Sequence, residues 1–260
     1  MTLPGQHGAA PRPDLPGGPV LLERGARRED GACRHLLLWR AGPGWRMLSS
    51  GVLGGGLGER GWAVNAQVRP GYGRMDPDLH LAELAAAHGL VGPGVGLMTA
   101  AEVDAFTWAA DGGATAVVTT GIGVPTWAAA PETVAAQAGA YVPGTINILA
   151  VVPVAVSDAG LANLLGTVTE AKVQALLDAG YDCSGTASDA VCVAVRASGD
   201  GTGPVEPFGG PRSAWGARLA RAVHRAVREG AEQDRVRRAV GPPAGHAAPE
   251  SACRRPVVLR

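Results

Sequence analysis

Apolar residues recur along this chain in two rhythms. Short alternating or continuous apolar runs at 35–39, 46–50, 62–68, 115–120, 148–152 and 190–195 read as strands. Longer stretches with apolar positions three and four apart read as helices. Asp76-Pro77 starts one of these, with the acid at the N-cap and proline at the first helical position, and it runs to His88-Gly89. His80 reads as a histidine on that helix's surface. Thr99 reads as the cap of a helix running to Ala110, with Glu102 near its positive end. Ser157-Asp158 opens a long helix, and Ser213 a last one with Trp215, Leu219, Val223 and Val227 on its apolar stripe. Strands interspersed with helices predict an α/β or α+β layered sandwich, parallel or antiparallel order being left open.

The ends break these rhythms. Residues 1–32 are rich in Pro, Gly, Arg and Ala and carry one strand-like run, Val20-Leu21-Leu22; residues 233–260 are rich in Arg, Pro and Ala. Both are expected to be disordered tails around one domain spanning 33–232. Composition narrows the class further. The 23 Lys and Arg balance the 23 Asp and Glu among 260 residues, so charge gives no case for nucleic acid or a membrane surface. With 46% hydrophobic but 4% aromatic residues, the core must be mostly Ala, Val and Leu. The six tryptophans read as core fillers, with some suited to a pocket for a flat ligand. No apolar run is long enough for a transmembrane helix, and Pro and Gly interrupt any signal-peptide core. A cytoplasmic protein with reduced thiols is expected. The four cysteines form no C-x-x-C pair, which argues against a zinc knuckle, and no metal site is expected. The glycine loop 54–58 lacks the Lys-Ser/Thr of a phosphate cradle.

The stretch 141–195 holds most of the candidate chemistry. Gly144-Thr145-Ile146-Asn147 leads an apolar run, a helix carries Thr169-Glu170-Ala171-Lys172, and Ser184-Gly185-Thr186-Ala187-Ser188-Asp189 leads a second run. Strand, helix and strand thus bring two small, polar, glycine-containing turns into one unit. Leu161, Leu165, Val168, Lys172 and Leu176 share one helical stripe, so Lys172 sits where the helix should be buried, whereas Glu170 falls well round from it. An inward lysine must pair, lose its proton, reach a cavity, or snorkel its ammonium to water.

Taken together, these turns resemble the adenosylcobinamide amidohydrolase family of corrinoid salvage. The matching segments run in family order: Asn65 with Val64 and Val68, Tyr72 with Asp76-Pro77, Gly94-Val95-Gly96-Leu97-Met98-Thr99-Ala100-Ala101, and Val118-Thr119-Thr120-Gly121. They continue with Gly144-Thr145-Ile146-Asn147-Ile148, Thr169-Glu170-Ala171-Lys172, Gly185-Thr186-Ala187-Ser188-Asp189-Ala190 and Phe208-Gly209-Gly210. Departures are mild: Thr120 replaces a usual Ala, Ser188 a usual Thr, and Gly123-Val124-Pro125 a common Asn-Pro. The resemblance implies hydrolysis of the amide joining aminopropanol to the corrin ring, a corrinoid substrate, and no cofactor, cobalt entering only within that substrate. It implies substrate-binding roles for Asn65, Tyr72, Asp76, Gly96, Met98, Thr99, Thr119, Gly121, Gly144, Gly185 and Thr186. A homo-oligomer is compatible with it. A fainter similarity to ornithine acetyltransferases and DmpA-type aminopeptidases, in which a strand-start Thr or Ser is the nucleophile, points to Thr145.

Three mechanisms follow. In the first, Thr145 attacks the carbonyl, Lys172 or Asp189 handles the proton, and backbone N–H groups near Gly144 or Gly96, with the Asn147 or Asn65 amide, hold the oxyanion. In the second, water attacks, with Glu170 or Asp189 as base. In the third, the chain binds corrinoid without chemistry. A cysteine nucleophile is disfavoured, since neither Cys183 nor Cys192 has a histidine near it in sequence.

Overall fold

The computed structural model describes residues 20–131, 144–199 and 203–240, together with the backbone of 257–259. In chain order the elements are β1 (Leu22–Glu29), β2 (Ala32–Arg40), β3 (Trp45–Ser49), β4 (Gly56–Glu59), β5 (Trp62–Gln67), α1 (Pro77–Ala87) and β6 (Val95–Thr99). A 3₁₀ turn at Val103–Ala105 precedes β7 (Thr107–Asp111), β8 (Ala114–Gly121), β9 (Thr145–Ala155), α2 (Asp158–Asp178), β10 (Ala190–Arg196), α3 (Ala214–Val240) and β11 (Val257–Leu259). They build two sheets. The first has the order β11-β1-β2-β5-β6 and the second β4-β3-β10-β9-β8-β7. The sheets face each other, with α1 outside the first and α2 and α3 outside the second, so the layered α/β sandwich has helix, sheet, sheet and helix layers.

Each layer boundary follows from strand alternation. On β2, Leu36 and Leu38 meet Leu81 and Leu84 of α1, while Trp39 turns inward among Met47, Leu97 and Val151. Trp39 and Trp45 cross the gap between sheets edge to face, with ring centroids 5.0 Å apart. On β9, Ile146, Ile148, Ala150 and Val152 pack under α2 and α3, while Leu149 and Val151 face the first sheet. Two parallel pairs, β5 with β6 and β9 with β10, each span a helical crossover, α1 and α2 respectively. Ser157 caps α2 by accepting from Gly160 N at 3.0 Å.

Several expectations are corrected. Residues 22–32 are not a tail: β1 and β2 form a hairpin across Asp30-Gly31, whose φ values of 51° and 75° suit a two-residue turn with both residues left-handed. No α-helix follows Thr99, only the 3₁₀ turn at Val103–Ala105. The Thr99 hydroxyl accepts only from Ala101 N in a turn, and Thr107-Trp108 pairs as β7 because the β-branched and aromatic residues there fit a pleated surface. Asp76 makes no side-chain cap; its carboxylate is gripped by Arg74 instead. His80 is buried rather than on a helix surface, at 6% exposure. The last helix continues eight residues past 232 to Val240, and β11 pairs with β1. The rest of the expected tails, 1–19, 241–256 and 260, lies outside the described residues. Among the tryptophans, Trp39, Trp45 and Trp62 are buried fillers, whereas Trp127 is 42% exposed.

Candidate active site

Lys172 is buried. Its side chain is 9% exposed, and its Nζ donates to Asp189 Oδ2 at 2.6 Å, that carboxylate being 8% exposed. Helix periodicity forces this: Leu161, Leu164, Val168, Ala171, Ala175 and Leu176 all bury the same side of α2. An ammonium placed there is retained only with a partner. Asp189, at the entrance to β10, is that partner, and the turn before it is shaped to allow the approach. Gly185 has φ 152°, and a Cβ on it would lie 2.1 Å from Asp189 Oδ2 and 2.7 Å from Lys172 Nζ. Only glycine fits.

Asp189 is fully engaged. Its Oδ1 accepts from Ile146 N at 2.9 Å and Thr186 Oγ1 at 2.5 Å; its Oδ2 accepts from Thr186 N at 3.2 Å as well as from Lys172. Thr186 Oγ1 also stands 2.9 Å from Gly144 O, but a hydroxyl has one proton, and the shorter, charge-assisted contact takes it. Ser188 Oγ donates to Gly144 O at 3.0 Å and lies 2.7 Å from Thr145 Oγ1, so the Thr145 hydroxyl donates to Ser188. Two hydrogen-bonded sets, Gly144-Thr145 with Ser188, and Lys172 and Thr186 with Asp189, therefore meet at the head of β9, joined through the backbone because Ile146, whose N–H donates to Asp189, follows Thr145 and Asp189 follows Ser188. Gly121 is the β8 partner of Thr145 and closes its side.

A second polar group lies deeper between the sheets. Asn147 Nδ2 donates to Asn65 Oδ1 at 2.9 Å and to Met98 O at 3.0 Å, and Asn65 Nδ2 donates to Thr119 Oγ1 at 2.8 Å. Asn147 Oδ1 has no partner among the described residues. These side chains border a cavity of about 20 Å³ with Leu37, Trp39 and Leu149.

Other sequence candidates fall elsewhere. Glu170 is exposed and lines a groove of about 440 Å³ between α2 and α3 with Gln174, Arg221 and His224, on the far side of α2 from Lys172. As a base at the Thr145 cluster it is misplaced. Gly96 packs against Leu53 and Leu81 toward α1, and its N–H is spent on Leu53 O at 2.9 Å, so it cannot hold an oxyanion. The Asn147 amide has both its protons spent, and Asn65 has one of its two spent on Thr119. Tyr72 bonds His80 Nδ1 at 2.9 Å, and Asp76 pairs with exposed Arg74; neither touches the cluster. Burial pushes the Cys183 thiol up, and pushes Cys192 up to about 12, which leaves both inert as nucleophiles. Ser188, a member of the polar turn to which the sequence assigns no role, is the residue that touches Thr145. Its position four after Ser184 in the same turn was the available signal.

The family model described as adenosylcobinamide amidohydrolase matches residues 21–239. The chain belongs to the adenosylcobinamide amidohydrolase family. The adenosylcobinamide amidohydrolase of Methanosarcina mazei is 30% identical over 186 residues, covering 69% of this chain and 87% of that protein. That of Halobacterium salinarum is 41% identical over 87 residues, covering 33% and 35%. Among solved structures, the PH0078 protein of Pyrococcus horikoshii has a TM-score of 0.42 at 8% identity, covering 83% of this chain and 84% of that one. The L-aminopeptidase D-Ala-esterase/amidase of Ochrobactrum anthropi has 0.40 at 11%, covering 90% and 88%. Neither likeness is close enough to bear on the site. For this member of the family, no described helix is long and apolar enough to cross a membrane.

Proposed function

We propose that this protein hydrolyses the aminopropanol amide of adenosylcobinamide, giving adenosylcobyric acid and 1-aminopropan-2-ol, in cytoplasmic corrinoid salvage. Family membership supports the substrate. One structural observation supports the chemistry: a buried lysine–aspartate pair whose carboxylate holds Ile146 N, next to a strand-head threonine that is itself bonded to Ser188. Thr145 Oγ1 adds to the amide carbonyl, the C–N bond breaks, and the amine leaves with the proton that Thr145 loses. Water then cleaves the ester and restores the hydroxyl. The Thr145 proton passes to Ser188 Oγ, to which Thr145 already donates, as Ser188 gives its own proton to the departing amine; the Lys172–Asp189 pair stands behind this exchange and orders it. Asp189 accepts from four donors, so its work is to hold Lys172, Thr186 and the head of β9 rather than to act as base. Side chains alone carry these steps, and cobalt enters only within the substrate. Asn65, Thr119 and Asn147, which border the small cavity between the sheets, are assigned to the substrate side of the site.

Incubating purified protein with adenosylcobinamide and measuring released aminopropanol tests the reading. Wild type releases it; Thr145→Ala is expected to lose on the order of 10³-fold or more in turnover. Glu170→Gln is expected to keep it. Full turnover by Thr145→Ala would overturn the nucleophile assignment, and no release by wild type would leave a binding protein.

A further inference from the structure

Outside the Thr145 cluster, the structure brings together a thiol, an imidazole and a carboxylate. Cys33 Sγ lies 3.5 Å from His35 Nε2, and His35 Nδ1 lies 2.8 Å from Asp104 Oδ2. Cys33 and His35 alternate with Leu37 and Trp39 along β2, so all four share the face toward the second sheet. Asp104 comes from the 3₁₀ turn after β6 and is steadied by Arg24 Nε at 3.1 Å. The His35 main chain is fixed by its N–H, which donates to Gln67 Oε1 at 3.3 Å. The carboxylate accepts the hydrogen bond from Nδ1–H and so sets the tautomer, leaving the Nε2 lone pair toward the sulfur. Arg28 is the cross-strand partner of Cys33, which adds positive charge on the same face.

This differs from the other described cysteines. Cys183 and Cys192 are fully buried and their thiols are held protonated by burial. Cys33 is half-buried, the His35 side chain is 21% exposed and Asp104 37% exposed, so the group can be reached from solvent. A nucleophile, a base within reach and a carboxylate orienting that base is the geometry of an activated thiol.

We propose that Cys33, His35 and Asp104 form a second nucleophilic site, a thiolate–imidazolium pair that takes up small carbon electrophiles. His35 Nε2 receives the thiol proton. The sulfur's electron pair forms an S–C bond, and the leaving group departs with the electrons of the bond it breaks. The site shares no residue with the Thr145 cluster, and its test does not depend on the corrinoid reaction.

Iodoacetamide is the probe, used on the full chain carrying Cys253→Ser, because Cys253 lies outside the described residues. Alkylation is followed by peptide mass spectrometry from pH 5 to 9. Cys33 is expected to be modified first, at least tenfold faster than Cys183 or Cys192 at pH 6.5, with its rate half-maximal well below pH 8.5. His35→Gln and Asp104→Asn are expected to move that half-point upward, and His35→Gln to slow alkylation at pH 6.5 about tenfold. Circular dichroism checks that each variant is folded; if His35→Gln is not, Asp104→Asn gives the same reading through the half-point alone. A Cys33 rate that rises only above pH 8.5, or one unchanged in folded variants, overturns the proposal. Cys33→Ser is expected to release aminopropanol at the wild-type rate, which separates this site from the amidohydrolase reading.

Discussion

The two faces of the second sheet are built from the same strands and have opposite characters. Toward α2 and α3 the sheet presents Ile146, Ile148, Ala150, Val152, Val193 and Val195, which meet Leu161, Leu164, Leu219 and Val223 in an aliphatic layer. Toward the first sheet it presents Leu149 and Val151 but also Asn147 and Thr119, tied to Asn65 and interrupted by a small cavity. The outer layer is held by burial, which is non-directional and tolerant of order. The inner layer is held by hydrogen bonds, which fix orientation. Residues that must point somewhere definite therefore lie on the inner face and at the strand heads, while the outer face supplies the rigidity behind them.

This contrast can be broken experimentally. The largest effect is expected at the boundary between the layers. Asp189→Ala strands the Lys172 ammonium in a buried position and should cost about 3–5 kcal/mol in denaturant unfolding. A Lys172→Met, Asp189→Leu double variant should recover much of that stability and none of the turnover. Next, Leu164→Ala in the outer layer should cost about 2–5 kcal/mol from lost burial and the hole left behind, with turnover at a permissive temperature nearly intact. Asn147→Ala should cost about 1–3 kcal/mol by leaving Met98 O and Asn65 Oδ1 unpaired, and should damage turnover more than Leu164→Ala does. If Leu164→Ala is the more harmful to turnover, the division of labour between faces is wrong.

The smallest effect concerns pH and the first sheet. Burial holds the His80 imidazole below its usual 6.5, against an upward pull from Glu29. Because the folded state favours the neutral ring, the stability this confers is complete above pH 6.5 and drains away as pH falls through the lower folded value. Replacing His80 by Phe should flatten that acid limb of a stability–pH curve. An unchanged limb would show that Glu29 offsets the burial.

Much of this architecture was legible in the sequence, and the losses have physical causes. Six strand runs and the start of α2 stood out because local alternation and a serine cap suffice to specify them. Lys172 stood out because a charge on an apolar stripe is informative whatever surrounds it. The hairpin of β1 and β2 was obscured by its charges: β1 carries them on both faces, Arg24 and Arg28 on one and Glu23, Arg27 and Glu29 on the other, so composition suggested a tail while Asp30-Gly31 specified the turn. Thr99–Ala110 misled because small residues fit a helix as well as a strand, and pairing with β8 decided between them. The cluster of Cys33, His35 and Asp104 was invisible, since Asp104 arrives only once β6 has been placed beside β5. Glu170 was drawn in by its neighbourhood to Lys172, although two positions along a helix face different ways.

Thr145 owes its place to parity. Positions of β9 are sorted between cleft and helix layer by being odd or even, and β8 and β10 on either side hold that count along the strand. A single residue inserted just inside the head of β9 would send Thr145 to the wrong side or pull Asn147 away from Asn65, with no change in the chemistry of any side chain. Length variation in descendants of this sequence should therefore gather in the connections, such as 41–44 or 197–206, and leave the head of β9 unaltered in count even where its residues drift.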